Sequence, residues 1–234
     1  MTIHVRLLGG FEVDIDGAPV PPVSWARRHA AALVKLLALA DGHRLHRERV
    51  IAALWPALAV EVAAPRLHKA AHFARKALER GGGAISLRDD IVALLADPGI
   101  DVDVDRFRAV AARALTTRDS SLASAALELY GGDLLPDDLY DDWTIEARDG
   151  LASTRIELLR LTHRWDDLVA HSPTDEEAHL ALARRYADGG DTRAALRQLE
   201  RLERALHHEL GAGLGTEARA LKAQLDSRSR PAPP

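Results

Sequence analysis

Cysteine is absent from this chain, and several kinds of site are excluded with it. A chain without cysteine has no disulfide bonds, no Cys-ligated zinc and no thiol nucleophile. Aromatic residues make up only 4% of the chain, so its core must consist mainly of Ala, Leu and Val. A secretory signal and a charge-free apolar run of membrane-spanning length are also missing. These absences predict a cytoplasmic protein without membrane segments, and 234 residues allow one large or two modest domains.

Charge is divided unevenly along the chain, although the net charge is only -4. Residues 1–95 contain 13 Lys and Arg and 9 Asp and Glu, a net charge of +4. The remaining residues contain 18 basic and 26 acidic side chains, a net charge of -8. A mildly basic module joined to an acidic one is typical of a DNA reader attached to a protein-interaction domain. Chance scatter of charges is the alternative.

The first part of the chain has the pattern of short strands followed by two helices. Alternating apolar positions and glycine-containing turns predict two or three strands within residues 3–20. Ser24 is predicted to cap a helix that runs from about residue 25 to residue 40, with Gly42 at its carboxyl end. A second helix is expected to begin near His46 and to end at Pro56.

Residues 62–95 carry the strongest functional signal and include PRLHKAAHFARKALERGGGAISLRDDIVALL. This segment predicts a basic helix over about residues 62–80, a turn at the triple glycine 81–83, and two strands over residues 85–87 and 91–95. A positively charged helix followed by a hairpin is typical of a winged helix-turn-helix. In such modules the helix enters the DNA major groove and the hairpin lies against the backbone.

Helical periodicity assigns one face of the basic helix to the core, with Leu67 and Ala71 at its centre. The opposite face carries cations that can contact phosphate, and Arg can also read guanine edges. The helix residues predicted to contact DNA are Arg66, Lys69, His72, Phe73, Arg75 and Lys76, with Arg80 at the end of the same face. The alternative is the ordinary solvated face of an amphipathic helix.

Other basic residues are candidates for phosphate contacts. Arg27 and Arg28 open the first helix, Arg47 opens the second, and Arg88 lies in the turn of the hairpin. A helix start can bind phosphate through free backbone N–H groups as well as through side chains. Ordinary surface charge is the alternative for each of these residues.

Enzyme motifs are weak in this sequence. No Gly-x-x-x-x-Gly-Lys phosphate loop is present. His68 and His72 are spaced for one helix face, but the glutamate of a His-Glu-x-x-His motif and a third ligand are missing. The acidic pairs Asp137–Asp138 and Asp141–Asp142 are explained by a solvated loop between helices. The sequence therefore predicts no enzyme, no cofactor and no metal site.

The chain from Asp101 onward has a helical pattern. Residues 176–206 predict a helix hairpin with small residues at the crossing and a turn at residues 189–191, which is the layout of a tetratricopeptide repeat. Trp143 and Trp165 are interpreted as core residues, with interface anchors as the alternative. The tail is predicted to be disordered, or a linker to a further segment.

Three strings together resemble a known family: LLGGFEV, WARRHAAALVKLLALADGHRLHRERVIAALWP, and RLHKAAHFARKAL. They are similar to the amino-terminal half of actinobacterial antibiotic-pathway regulators and of their larger ATPase-bearing relatives, a winged helix of the response-regulator type. The strings VDVDRF and ALELYGGDLLPDDLYDDWTIEARDGL are similar to the bacterial transcriptional activator domain. The resemblance covers roughly residues 3–225. It implies binding to direct-repeat promoter sites in double-stranded DNA, self-association, with a homodimer as one form, and contact with RNA polymerase.

Two features depart from these relatives. They often carry His and Arg at the positions of Ala70 and Phe73, although Phe73 could contact thymine methyl groups. Their wing usually ends in a Gly-Tyr pair, whereas this turn is Arg88-Asp89-Asp90. Two adjacent carboxylates oppose phosphate binding, so weak or partner-assisted DNA binding is the hypothesis.

The sequence thus predicts a mainly α protein with a small β component. A winged-helix domain over residues 1–97 is followed by an all-helical, tetratricopeptide-like activator domain over residues 100–226 and by a disordered tail, 227–234. The predicted function is a DNA-binding transcriptional activator. The alternatives are a protein-interaction scaffold whose winged helix has lost DNA binding, and the amino-terminal part of a larger ATPase-type regulator.

Overall fold

The computed structural model describes residues 2–79, 84–95 and 99–229. Within the last range, side chains are described as far as residue 227. Seven strands and ten helices make up this described part. The strands are β1 (Thr2–Arg6), β2 (Glu12–Ile15), β3 (Ala18–Pro19), β4 (Arg44–His46), β5 (Ile85–Arg88), β6 (Ile91–Leu94) and β7 (Gly99–Val102). The first helices are α1 (Arg28–Leu39), α2 (Arg47–Leu54) and α3 (Val60–Ala77). The later helices are α4 (Asp103–Thr117), α5 (Ser120–Leu129), α6 (Ile145–Leu161), α7 (Trp165–His171), α8 (Glu176–Asp188), α9 (Thr192–Leu210) and α10 (Thr216–Ser229).

The strands form two small sheets. The first sheet has the order β3-β2-β1-β7, with β7 parallel to β1 and the other pairs antiparallel. Ile3 and Val5 of β1 are opposite Ile15 and Val13 of β2, and all four side chains are buried. The second sheet has the order β4-β6-β5 and contains the predicted hairpin. The winged-helix arrangement expected from the sequence is therefore confirmed.

Two predicted boundaries in the first part are wrong. Ser24 does not cap α1, because Pro22–Trp25 form a 3-10 turn in which the Ser24 amide donates to the Pro21 carbonyl at 2.9 Å. The helix begins at Arg28 instead. Gly42 does adopt a left-handed conformation, with φ of 60°, but in a separate turn that follows the helix.

The chain does not become helical at Asp101 as predicted. Residues 99–102 form β7, which extends the first sheet by pairing with β1. Helices α4 to α7 then pack into a core that is continuous with that of the winged helix. The predicted helix hairpin is present as α8 and α9, and Asp175 and Asp191 cap their starts. A second core, with Leu199 and Leu202 at its centre, lies between α8, α9 and α10.

The described part of the chain contains no helix long and apolar enough to cross a membrane. The last helix ends at Ser229, so residues 227–229 of the predicted tail are helical. The rest of that tail, the triple glycine 81–83 and Arg80 lie outside the described residues.

Candidate nucleic-acid interface

Helix α3 turns its predicted core stripe toward α1. Leu67, Ala71, Ala74 and Leu78 are all buried, as their helical spacing predicted. The opposite side is exposed, and we call it the outer face of α3, made of Pro65, Lys69, His72 and Lys76. The two cations on this face have no ionic partner among the described residues. The outer face is therefore a strip of uncompensated positive charge on a helix that is narrow enough for a major groove.

The outer face is bordered on one side by a concave space between α1 and α3. This space, the α1–α3 cleft, has a volume of about 430 Å³. Its lining includes Arg66 and Phe73 from α3 and Arg27 from the start of α1. The Arg27 guanidinium lies 5.1 Å from the centre of the Phe73 ring, a cation–π contact that orients the cation. The helix position of Phe73 suggested that it lies on the outer face. Its side chain is instead half-buried and lines the cleft.

The wing borders the outer face on the other side. Arg75 was predicted to contact DNA, but its Nε donates to the Ile85 carbonyl of β5 at 2.8 Å. Arg47 was predicted to contact phosphate, but its Nη1 lies 3.1 Å from Oδ1 of Asp90 in the wing turn. Its amide also donates to the Asp90 carbonyl at 2.7 Å. Both arginines therefore help to hold the wing against α3 and α2.

The acidic wing turn is partly neutralised by these contacts. Asp89 and Asp90 both have positive φ, 50° and 60°, which closes the two-residue turn between β5 and β6. Asp90 is paired with Arg47, while Asp89 and Arg88 are exposed at the tip. The turn thus presents to a ligand on this side one cation and one carboxylate that is unpaired among the described residues.

The surroundings of Ala70 and Arg28 differ from those predicted from the sequence. Ala70 is only 5% exposed, so the absence of a histidine there removes nothing from the outer face. Arg28 donates from Nη2 to Oδ1 of Asp141 at 2.6 Å, and this pair joins α1 to the helical part of the chain. Six of the predicted residues are exposed around α3 and have no carboxylate partner among the described residues. They are Arg27, Arg66, Lys69, His72, Lys76 and Arg88.

His29 lies in the cleft and reports on its electrostatics. Its ring stacks on Trp55 with 5.0 Å between the ring centres. Burial, followed by the positive charges of Arg28 and Arg66, lowers the pKa of His29, while Asp141 opposes this shift. Arg28 and Arg66 thus add to the effect of burial at this ring. Sequence reasoning missed His29, because only its position opposite Arg66 gives it this environment.

The solvated loop predicted at the acidic pairs is exposed, but sequence reasoning missed the apolar side chains that it displays. Residues 136–145 display Leu139, Tyr140 and Ile145 with exposed fractions of 55%, 96% and 45%. The loop is nevertheless anchored, since Lys35 of α1 pairs with Asp138 at 2.5 Å between two largely buried side chains. Arg148 adds hydrogen bonds to backbone carbonyls, including that of Leu134 at 3.2 Å. The one sequence signal was the placing of Leu, Tyr and Ile among acidic residues.

Trp143 and Trp165 are half-buried and pack against the core.

Within residues 2–79, 84–95 and 99–229, no three His, Asp or Glu side chains are grouped so that they could hold a metal ion. His68 and His72 are both exposed on α3.

Comparison with known proteins gives results for both halves of the chain. Residues 102–226, more than half of the chain, match the family described as Bacterial transcriptional activator domain. A solved structure of EmbR from Mycobacterium tuberculosis, in complex with a low-affinity phosphopeptide, is similar in fold with a TM-score of 0.68 and 21% sequence identity. The similarity covers 98% of this chain and 66% of the EmbR chain, so the present chain spans less than two thirds of that protein. No curated protein matches the chain.

Proposed function

Because the chain belongs to the bacterial transcriptional activator domain family, we propose that it activates transcription by binding promoter DNA through α3. The outer face of α3 would enter the major groove, with Lys69 and Lys76 contacting phosphate and base edges. The uncompensated charge of this face is the observation that carries the proposal, because it has no internal role in the described structure. The protein would act in the cytoplasm, where bacterial DNA and polymerase are found.

The two borders of the outer face support this docking. Arg47 and Arg75 hold the wing in place, so the exposed Arg88 has a fixed position from which it can reach the DNA backbone. Arg27 and Arg66 lie on the opposite border. Phosphate contacts on both sides of a groove-bound helix fix its register, while the helix itself reads bases.

The helical domain would provide the contact with RNA polymerase or with a second copy of the chain. The anchored loop that displays Leu139, Tyr140 and Ile145 is the best candidate surface. Exposed apolar and aromatic side chains on a rigid support have the properties of interface hot spots. The acidic residues Asp137 and Asp142 beside them would favour a basic partner.

Two side-chain positions weaken the alternative of a scaffold without DNA binding. Ala70 is not on the outer face, and Asp90 is neutralised by Arg47. The unpaired Asp89 and the engagement of Arg47 and Arg75 in internal contacts remain in favour of weak or partner-assisted binding.

The test is selection of bound duplexes from a randomised library, followed by sequencing. The protein is expected to enrich a short motif, and a Lys69→Glu/Lys76→Glu variant is expected to enrich none. Arg193 and Arg197 on α9 are exposed, so Arg193→Glu/Arg197→Glu is a control with the same change in charge. Enrichment of one motif by all three proteins, or of none by the parent, would exclude α3 as the reader.

A further inference from the structure

The α1–α3 cleft carries more positive charge than its structural contacts use. Arg27, Arg28, Arg66 and Lys69 all line it, together with His29. One carboxylate, Asp141, lies close by and is paired with Arg28 at 2.6 Å. Arg27, Arg66 and Lys69 have no carboxylate partner among the described residues. The site is concave and cationic, in contrast to a flat solvated surface.

The geometry holds these cations where an anion could meet several of them at once. Arg27 is oriented by its contact with the Phe73 ring, and its guanidinium pairs with no carboxylate among the described residues. Arg66 faces Arg27 from the other wall of the cleft. Like charges held together in a concave site repel one another, and a bound anion relieves that repulsion. Guanidinium groups match phosphate oxygens with two parallel hydrogen bonds.

We propose that the α1–α3 cleft binds a phosphate group through Arg27, Arg66 and Lys69. Two sources share this chemistry. One is a backbone phosphate of DNA, and this source rests on the proposed function. The other is the phosphate of a free ester, which goes beyond it, because a bound ester would place a small-molecule effector beside the outer face of α3. A volume of about 430 Å³ accommodates one or two phosphate groups together with a small organic part.

The experiment uses isothermal titration calorimetry of the full chain with inorganic pyrophosphate at low ionic strength. Arg27→Gln/Arg66→Gln is expected to weaken binding at least tenfold. Both side chains are exposed, so the double variant should keep its fold. Circular dichroism checks the fold. Arg66→Gln alone is the second variant. Arg193→Gln/Arg197→Gln on α9 loses the same charge outside the cleft and is expected to bind like the parent. Equal affinity in the cleft and control variants would overturn the proposal.

A second arm separates the two sources. Binding of a nonspecific DNA duplex is measured at several salt concentrations in the parent and in Arg27→Gln/Arg66→Gln. If the cleft holds a backbone phosphate, the slope of log affinity against log salt falls by roughly 0.9 for each phosphate that the variant no longer binds, and pyrophosphate competes with the duplex. If the cleft serves only a free ester, the duplex slope is unchanged while pyrophosphate binding is weakened at least tenfold. If neither ligand responds to the cleft substitutions, the proposal is wrong. Lys76→Glu tests the outer face separately, because Lys76 does not line the cleft.

A pH series adds an independent readout at His29. Its ring is faced by Arg28 of its own helix, Arg66 and Lys69 of α3, Trp55 after α2, and Asp141 of the loop. Burial and the neighbouring cations lower the pKa of His29, and an anion in the cleft would favour its protonated form. Sulfate is the probe, because it does not titrate in this range. Its affinity is expected to rise as the pH falls below 6.5, and to do so less in His29→Gln. An equal rise in both proteins would contradict a site at the cleft.

Discussion

A Cβ atom built on Gly132 would lie 2.9 Å from the Cα of Gly9. The two glycines belong to LLGGFEV and YGGDLLPDDLYDDW, two strings that are distant in the sequence and that meet where the first sheet joins the helical domain. Around them Leu8 forms a β-bridge with Leu134, and the Gly9 amide donates to the Asp133 carbonyl at 2.9 Å. The first sheet and the segment that follows α5 are therefore joined by backbone contact, which leaves no room for side chains at this point.

Substitution of Gly9 tests this close approach. In Gly9→Ala the new Cβ would lie 2.9 Å from the Gly131 carbonyl oxygen, at a φ of +81°. Gly17→Ala is a matched control, because Gly17 has a φ of +80° but nothing within 4 Å of a new Cβ. We expect Gly9→Ala to lower the free energy of unfolding by about 1–3 kcal/mol more than Gly17→Ala. Urea denaturation measures both, and equal losses would mean that the contact yields without cost.

Asp103 is predicted to stabilise the same junction. Its largely buried carboxylate accepts hydrogen bonds from the amides of Leu7, Leu8 and Val104 at 2.8–3.0 Å. Asp103→Ala leaves these donors without an acceptor, and the expected loss of unfolding free energy is on the order of 3 kcal/mol. Asp103→Asn keeps one acceptor oxygen and should lose less. The exposed Asp149→Ala is the control. A similar stability of all three variants in denaturant titrations would argue against the anchoring role.

The hydrogen bond from Arg75 to the Ile85 carbonyl is expected to restrain the wing. Arg75→Ala should increase the rates of amide hydrogen exchange in β5 and β6, because the strand loses its connection to α3. Arg88→Ala, at the exposed tip of the same hairpin, should leave those rates unchanged. If Arg75→Ala exchanges like the parent protein, Arg75 is free to serve as a DNA contact after all.

The stability of the folded chain should decrease at acidic pH through His29. Because burial and the cations Arg28 and Arg66 lower its pKa in the folded state, the unfolded chain binds the proton more readily. The free energy of unfolding therefore falls as the pH drops from above 6.5 through the lower pKa of the folded protein. His29→Gln should lose less stability than the parent between pH 7.5 and pH 5.5 in denaturant titrations. A parallel decrease in both proteins would assign the effect to other groups.

Elements with strong local patterns could be predicted from the sequence. The spacing of Leu67 and Ala71 predicted the buried stripe of α3, and the apolar runs around Arg88 predicted the wing strands. The hairpin of α8 and α9 followed from small residues at its crossing and glycines at its turn. Each of these patterns is contained in one short segment, so it needs no knowledge of distant partners.

Elements defined by distant partners could not be predicted. Strand β4 has three residues and one apolar side chain, and it exists because it pairs with β6. Strand β7 pairs with β1 almost a hundred residues away in the sequence. The same reason explains why the internal contacts of Arg47 and Arg75 were not predicted, since they depend on how the hairpin packs.

The proposed recruitment of the protein to specific promoters by the outer face of α3 can be tested directly in cells. Chromatin immunoprecipitation with sequencing is the test, with the parent protein beside Lys69→Glu/Lys76→Glu and the control Arg193→Glu/Arg197→Glu. We predict discrete peaks that share a repeated motif for the parent and the control, and loss of these peaks in the α3 variant. The absence of peaks with a folded parent protein, or peaks that persist in the α3 variant, would contradict DNA recognition by α3 and favour a role in protein interaction.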